Sequence, residues 1–346
     1  MNASEQDSSM IRVGIIGYGF MGKTHAMAYQ NAAADGYPCR VIAIADPALN
    51  GAGHAGEPAG NISSSDQEFD FSSAEVLRSA EELLARADID LVSICTHTDT
   101  HVELALQSML AGKHVLVEKP IAINSDDVKA LAKAANSSGR VCIPAMCMRF
   151  WPAWIRTREM IESKEFGGVR SAVFNRLGSR PSWSTEFYAN EKRSGGVLYD
   201  LHIHDTDFIV QCFGLPDSVV TTGDGLHLST AFQYLDGPVH VLAHAAWDHQ
   251  PAAGFEMRCT IVCDQATIDF DINRDDQLVI HQGTDSKAVD VGSLSGYDGE
   301  IRGIINMILG KTPQLGCSMN DAVDIACLLD AQLESMRSGA RVSVKD

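Results

Sequence analysis

Two histidines and three carboxylates crowd into eight positions of the stretch Ser194-Gly195-Gly196-Val197-Leu198-Tyr199-Asp200-Leu201-His202-Ile203-His204-Asp205-Thr206-Asp207. A Gly-Gly pair precedes them and the apolar run Phe208-Ile209-Val210 follows. Groups that titrate near neutral pH, gathered at the start of an apolar segment, suit proton transfer or metal binding. Asp200 and His204 are four positions apart, so a helix here would place both on one face. An imidazole so placed can take a hydroxyl proton as general base, and the carboxylate can orient it or hold a substrate hydroxyl. His202 reads equally as a second substrate contact or as a structural residue. As a metal pair, His202 and His204 are weak, because they point differently on a helix and no separate ligand cluster occurs elsewhere; no metal is expected. Asp205 and Asp207 read as capping or packing residues.

A second candidate is Glu118-Lys119-Pro120, which closes the apolar run His114-Val115-Leu116-Val117. Proline disfavours helix at the residue before it, so the Lys119 ammonium is either held toward a ligand crevice or paired with Glu118 on the surface. Held inward, it would donate to an oxygen on which negative charge develops. Arg149, Arg176 and Arg180 could each reach a ligand or serve as surface charges, with Arg149 the strongest of the three. Trp183 and Tyr199 could flank a sugar ring or pack in the core.

The elements that must position these groups begin at Ile11. The run Ile11–Ile16 reads as a buried parallel strand, Gly17-Tyr18-Gly19-Phe20-Met21-Gly22 follows, and a helical pattern runs from Lys23 to about Ala34. In that context the three glycines divide the work. Gly17 makes the turn, Gly19 lets a pyrophosphate approach the backbone, and Gly22 lets helix pack on strand. The helix N-terminus would offer free N–H groups to the phosphates. A second strand, Arg40–Ala45, ends at Asp46, 24 positions beyond Gly22, where a carboxylate would meet the adenosine ribose hydroxyls. No arginine occurs between Asp46 and Arg78, so NAD is favoured over NADP.

Residues 47–72 read as a long loop with room for a broken helix, and Ser79-Ala80-Glu81-Glu82 as a capping box. Further strands are expected at 90–95, 114–117 and 141–146, with a helix from about 102 to 111. Beyond Arg149-Phe150-Trp151-Pro152 a helix is expected at 153–164. The pattern then turns β-rich, with strands at 169–177, 218–222, 227–234, 239–247, 257–263, 266–272 and 277–281. Helices return at 299–309 and 320–338. The chain is therefore expected to be α/β: a dinucleotide-binding domain over 10–148 and a second domain over 149–346.

Composition agrees with a globular protein of two domains: 346 residues, 45% hydrophobic and 21% charged. The net charge of −18 argues against nucleic acid as a partner. Nine scattered cysteines without a CxxC read as buried reduced thiols. The N-terminal residues lack a signal-peptide pattern and no apolar run approaches a membrane span, so a cytoplasmic protein with no membrane partner is expected.

Taken together, Val13–Gly22, Ala111–Pro120, the Gly195-Gly196, Asp200, His204 and Asp207 constellation, and the closing segment Ser335–Val344 resemble the glucose–fructose oxidoreductase and inositol dehydrogenase family, Gfo/Idh/MocA. The resemblance spans nearly the whole chain from Ile11. It implies an N-terminal Rossmann domain and a C-terminal α+β domain with a large, mainly antiparallel open sheet. It also implies Lys119, Asp200 and His204 as the catalytic set, with nicotinamide-cofactor contacts from Gly17, Gly19, Phe20, Met21 and Gly22, Asp46, the loop of Thr96, His97 and His101, and Glu118. His97 departs from the family, which commonly has proline after the threonine. The function implied is NAD-linked dehydrogenation or reduction of a sugar, cyclitol or related polyol. Apolar and aromatic residues on the second-half strands point to a homodimer or homotetramer formed through the C-terminal sheet. An NAD-dependent glycoside hydrolase and a non-catalytic nucleotide-sensing regulator are the competing expectations.

Overall fold

The computed structural model describes residues 10–49, 68–311 and 316–345, so most of the expected 47–72 loop lies outside the described residues. The chain forms two compact units that interleave in sequence: Met1–Ala122 with Asp126–Phe150 and Ser295–Val323, and Ile123–Ser125 with Trp151–Leu294 and Asp324–Asp346. A cut after residue 148 would assign Ser295–Val323 to the second half, whereas it returns to the first unit.

The first unit is built on β1 (Ile11–Ile16), β2 (Cys39–Ala45), β3 (Glu75–Leu77), β4 (Leu91–Ile94), β5 (His114–Glu118) and β6 (Cys142–Ala145). Their order is β3-β2-β1-β4-β5-β6 and every pairing is parallel. Near-continuous apolar strands such as Ile11–Ile16 form a parallel sheet because helices cover both of its faces. These helices are α1 (Phe20–Ala34), α2 (Ala80–Leu84), α3 (His101–Leu110) and α4 (Ser125–Ser138). Strand order reverses between β1 and β4, the place where such sheets open a crevice at their carboxyl edge. Ile16 lies beside both Ala45 and Ile94, so Gly17, Asp46 and Cys95 leave the sheet along one edge.

Strand β3 was not expected, since three residues beside a polar loop give too short a pattern. Helix α4 was also missed, although Asp126 and Asp127 in its first turn and the buried Val128, Leu131, Ala132 and Ala135 carry the signal. Ser79 does cap α2, accepting from the Glu82 N–H at 3.3 Å, but the Glu82 carboxylate returns to the N–H of Arg78 rather than of Ser79.

The second unit opens with α5 (Pro152–Glu162) and β7 (Val169–Leu177), followed by α6 (Ile203–Phe213). Its sheet is completed by β8 (Ser218–Gly223), β9 (His227–Gln233), β10 (His240–Ala246), β11 (Glu256–Cys263), β12 (Thr267–Asp271), β13 (Leu278–Gln282), β14 (Asp285–Ala288) and β15 (Val342–Ser343). The nine strands run β14-β13-β12-β11-β7-β10-β9-β8-β15, antiparallel except where β7 pairs with β10. Strand β7 buries every second side chain, Ala172, Phe174 and Arg176. Trp154 packs with Phe174, Phe208 and Phe270, and Phe174 with Phe208, at ring-centroid distances of 4.5–6.3 Å. Such pairs contribute about 0.5–1.5 kcal/mol each beyond the area they bury, which fastens α5 and α6 to the sheet. The last helices are α7 (Gly296–Ile308), which belongs to the first unit and packs on α1, and α8 (Met319–Ser338).

Candidate active site

In the first unit the glycine loop has the geometry its sequence requires. Gly17 has φ of +88°, and a Cβ there would stand 2.8 Å from the Cys95 carbonyl oxygen. Gly19 has nothing within 4 Å of its would-be Cβ, so the backbone is open to an approaching group. At Gly22 a Cβ would come 2.0 Å from the Gly17 oxygen, closer than any side chain could tolerate. Helix α1 begins one turn earlier than its apolar pattern suggests, with Phe20 and Met21 partly exposed in its first turn. No side chain caps its N-terminus and no acid sits in its first turn. The backbone N–H groups and positive dipole end of such a helix start suit a phosphate, as a dinucleotide requires. Asp46 is half-buried; its Oδ2 accepts from the Tyr18 N–H at 2.7 Å and its Oδ1 from the Ala48 N–H at 2.8 Å. These residues fit a nicotinamide dinucleotide.

The loop after β4 holds Thr96, half-exposed, and His97, exposed. The Thr96 and Thr100 hydroxyls lie 2.7 Å apart. His101 is only 1% exposed, and its two ring nitrogens lie 2.8 Å from the Pro120 oxygen and 3.1 Å from the Thr96 oxygen. The ring therefore braces the Thr96 loop against the turn that follows Lys119, and burial lowers its pKa. The Glu118 carboxylate is likewise enclosed: Oε1 lies 3.0 Å from His25 Nε2, and Oε2 accepts from the N–H of Lys119 at 3.0 Å. From Val115 to Ala122 only Lys119 is not buried.

Behind this turn lies a cluster that the sequence did not reveal. Glu300 of α7 is 1% exposed, its Oε1 is 3.9 Å from His25 Nε2, and neither of its oxygens has a hydrogen-bond partner among the described residues. Burial, reinforced by the charge of Glu118, pushes its pKa well up. The capped start of α7 (Ser295 accepts from the Asp298 N–H at 3.1 Å) gave a helix signal but no hint of a buried acid. Arg149 gives Nη1 to Asp321 at 3.1 Å and to the Gly316 oxygen at 3.4 Å, and its side chain is 8% exposed.

In the second unit the dense cluster forms one π-helical turn, Leu198–His202, that leads directly into α6. Gly195 and Gly196, at φ of +75° and +66°, start it, and a Cβ on Gly196 would stand 2.9 Å from the Gly225 oxygen. From Gly196 to Ile209 every residue is buried except Asp200 and His204. His202 faces the opposite environment: it is fully buried, stacks on Phe232 at 6.2 Å, and has the Gln332 amide as a polar neighbour. Burial pushes its pKa down to about 3, so the ring stays neutral. Of the two readings of His202, the structure supports the structural one.

Arg176 is neither a surface charge nor a ligand contact, because a buried guanidinium needs a buried partner. That partner is Asp205. Asp207 is buried as well and accepts from Gln211 at 2.9 Å. Tyr199 is 2% exposed and gives its hydroxyl to Asp330 at 2.7 Å. Trp183 is half-exposed and meets Tyr188 edge-on at 5.8 Å. Among the described residues no group of three or more His, Cys, Asp or Glu side chains could hold a metal ion.

The family model described as an oxidoreductase family with an NAD-binding Rossmann fold matches residues 11–146, and the Gfo/Idh/MocA C-terminal domain matches 154–269. The chain belongs to the Gfo/Idh/MocA family. This oxidoreductase is 27% identical to the inositol 2-dehydrogenase of Rhizobium meliloti (strain 1021) over 354 residues, which cover 96% of this chain and 99% of that protein. It is 28% identical over 151 residues to the NADP-dependent scyllo-inositol 2-dehydrogenase of Bacillus subtilis (strain 168), covering 43% of this chain and 42% of that one. A solved levoglucosan dehydrogenase in complex with NADH and levoglucosan shares the fold, with a TM-score of 0.78 at 21% identity over 97% of this chain and 100% of that one.

Proposed function

We propose that this protein is an NAD-linked dehydrogenase of a sugar, cyclitol or related polyol, with Lys119, Asp200 and His204 as its catalytic residues. The observation that carries the reading is exposure: in two otherwise buried stretches, 115–122 and 196–209, Lys119, Asp200 and His204 are the residues that reach solvent. An amine, a carboxylate and an imidazole that stand out of otherwise buried turns are the group types that acid–base chemistry on an alcohol needs.

Oxidation of a secondary alcohol requires loss of the hydroxyl proton as the carbonyl develops. His204 accepts that proton, since an imidazole titrates near working pH. Asp200 orients the ring or holds a neighbouring hydroxyl. The Lys119 ammonium donates to the reacting oxygen and lowers the cost of its alkoxide character. Bound nicotinamide supplies the hydride chemistry. Gly17, Gly19, Phe20, Met21 and Gly22 would hold the pyrophosphate, Asp46 the adenosine ribose, and Thr96, His97 and Glu118 would border the nicotinamide side, with His101 bracing that loop. Support for NAD over NADP comes from Asp46, whose carboxylate would repel a 2′-phosphate, and from the lack of any basic residue other than His54 between it and Arg78.

An inositol dehydrogenase that aligns along nearly the whole chain supports a cyclitol or sugar as substrate. No helix among the described residues is long and apolar enough to cross a membrane, and all nine cysteines are free thiols, which fits a reducing cytoplasm. Self-association through the open sheet is supported by Ala231, Leu242, Val173 and Thr260, partly exposed neighbours across β9, β10, β7 and β11. Light scattering on Val173→Asp, expected to lower the oligomer's mass, tests that part. The reaction is tested by screening cyclitols, sugars and sugar acids with NAD and with NADP. NADH formation from at least one is expected; release of free sugar from glycosides without NADH accumulation would favour the glycoside hydrolase instead.

A further inference from the structure

We propose that Tyr199 and Asp330 are positioning residues, whose hydrogen bond fixes the turn that presents Asp200 and His204. The inference rests on the catalytic reading of those two residues. Leu198–His202 is a π-helical turn, a geometry with wider spacing than the α-helix and one that persists where its surroundings hold it. Tyr199 lies in that turn, directly before Asp200.

A hydrogen bond, the anchoring of its acceptor and a glycine together hold the ring in place. Its hydroxyl donates to Asp330 Oδ1 at 2.7 Å, a short bond to a carboxylate of the kind that is stronger than one between neutral groups. The other oxygen of Asp330 accepts from the Ser125 N–H at 2.9 Å, so one carboxylate of α8 holds both the turn and the Ile123–Ser125 segment. Underneath, Gly195 leaves the space the ring occupies, for a Cβ there would stand 2.6 Å from the Tyr199 Cβ. Burial, together with the bond to Asp330, raises the phenol's pKa, which keeps the hydroxyl a donor. Glu334 and Arg337, farther along α8, line the same groove as Tyr199 and Asp330.

A bond that only stabilises the fold and one that positions the turn differ in what its loss changes. Tyr199→Phe removes the hydroxyl and keeps the ring. Amide hydrogen exchange over residues 198–204 should quicken several-fold, and kcat should fall roughly tenfold, the rate equivalent of one hydrogen bond, with NAD affinity within about twofold of wild type. Asp330→Asn should move both readouts in the same direction and provides the test if Tyr199→Phe folds poorly. Glu334→Gln, in the same groove but outside the pair, should leave both unchanged. Unchanged exchange over 198–204 in Tyr199→Phe and Asp330→Asn overturns the proposal, as does faster exchange with wild-type kcat. Wild-type turnover in His204→Ala would instead remove the catalytic reading, and the exchange data would still decide whether the bond fixes the turn.

Discussion

The guanidinium of Arg176 grips the carboxylate of Asp205 through two hydrogen bonds, Nη2 to Oδ1 at 2.7 Å and Nε to Oδ2 at 3.1 Å, with both side chains almost wholly buried. The pair ties β7 to the first turn of α6 one residue after His204, and it fixes the rotation of that helix about its axis. Removing one partner should cost about 3–5 kcal/mol, because the other is left as an uncompensated buried charge. Chemical unfolding of Arg176→Met should show this loss, and Arg176→Met combined with Asp205→Leu should recover most of it. A loss in the single variant below about 1 kcal/mol would mean that water reaches the pair.

The buried ring of His202 makes stability depend on acid. Its folded pKa, near 3, lies below the ordinary 6.5, so below pH 6.5 the unfolded chain binds a proton that the folded chain refuses. The stability it permits is present above pH 6.5 and is lost toward pH 3, with a slope of up to about 1.4 kcal/mol per pH unit. His202→Phe, which keeps a ring beside Phe232, should flatten that slope in urea unfolding followed against pH. An unchanged slope would assign the acid sensitivity to other groups.

Glu300 acts with the opposite sign. Its folded pKa is raised above 4.5, so the folded chain keeps a proton that the unfolded chain releases, and stability falls as pH rises above 4.5. Glu300→Gln resembles the protonated acid and needs no proton. The variant should be more stable than wild type at pH 8, with the difference vanishing near pH 4. Equal stability at pH 8 would show that Glu300 is charged in the fold.

Asp46→Ala removes the carboxylate assigned to the ribose and should weaken NAD binding about tenfold or more in calorimetric titration. Gly22→Ala drives a Cβ into the Gly17 carbonyl and should abolish binding by displacing the loop. Wild-type affinity in Asp46→Ala would remove the ribose assignment.

Much of the candidate site is legible in the sequence because its signals are local. The Gly17–Gly22 spacing, the acid at Asp46 and the four-residue step from Asp200 to His204 can each be read along one stretch of chain. The buried partners were not legible, because each joins residues far apart in sequence: His25 with Glu118 and Glu300, Arg176 with Asp205, Tyr199 with Asp330. A glutamate in an amphipathic helix, or an arginine in an alternating strand, looks like a surface charge until the fold shows which face it occupies. The same reasoning separates the two histidines. His202 and His204 are chemically equal in the sequence, and burial divides them.

Turnover and NAD affinity of Lys119→Ala and His204→Ala, measured on the polyol that gives the highest wild-type rate of NADH formation, test the central claim most directly. Both groups are proposed to act in the chemical step, so kcat should fall by about 10²–10⁴ in each variant while NAD affinity stays within about threefold. Wild-type turnover in both variants would contradict the assignment.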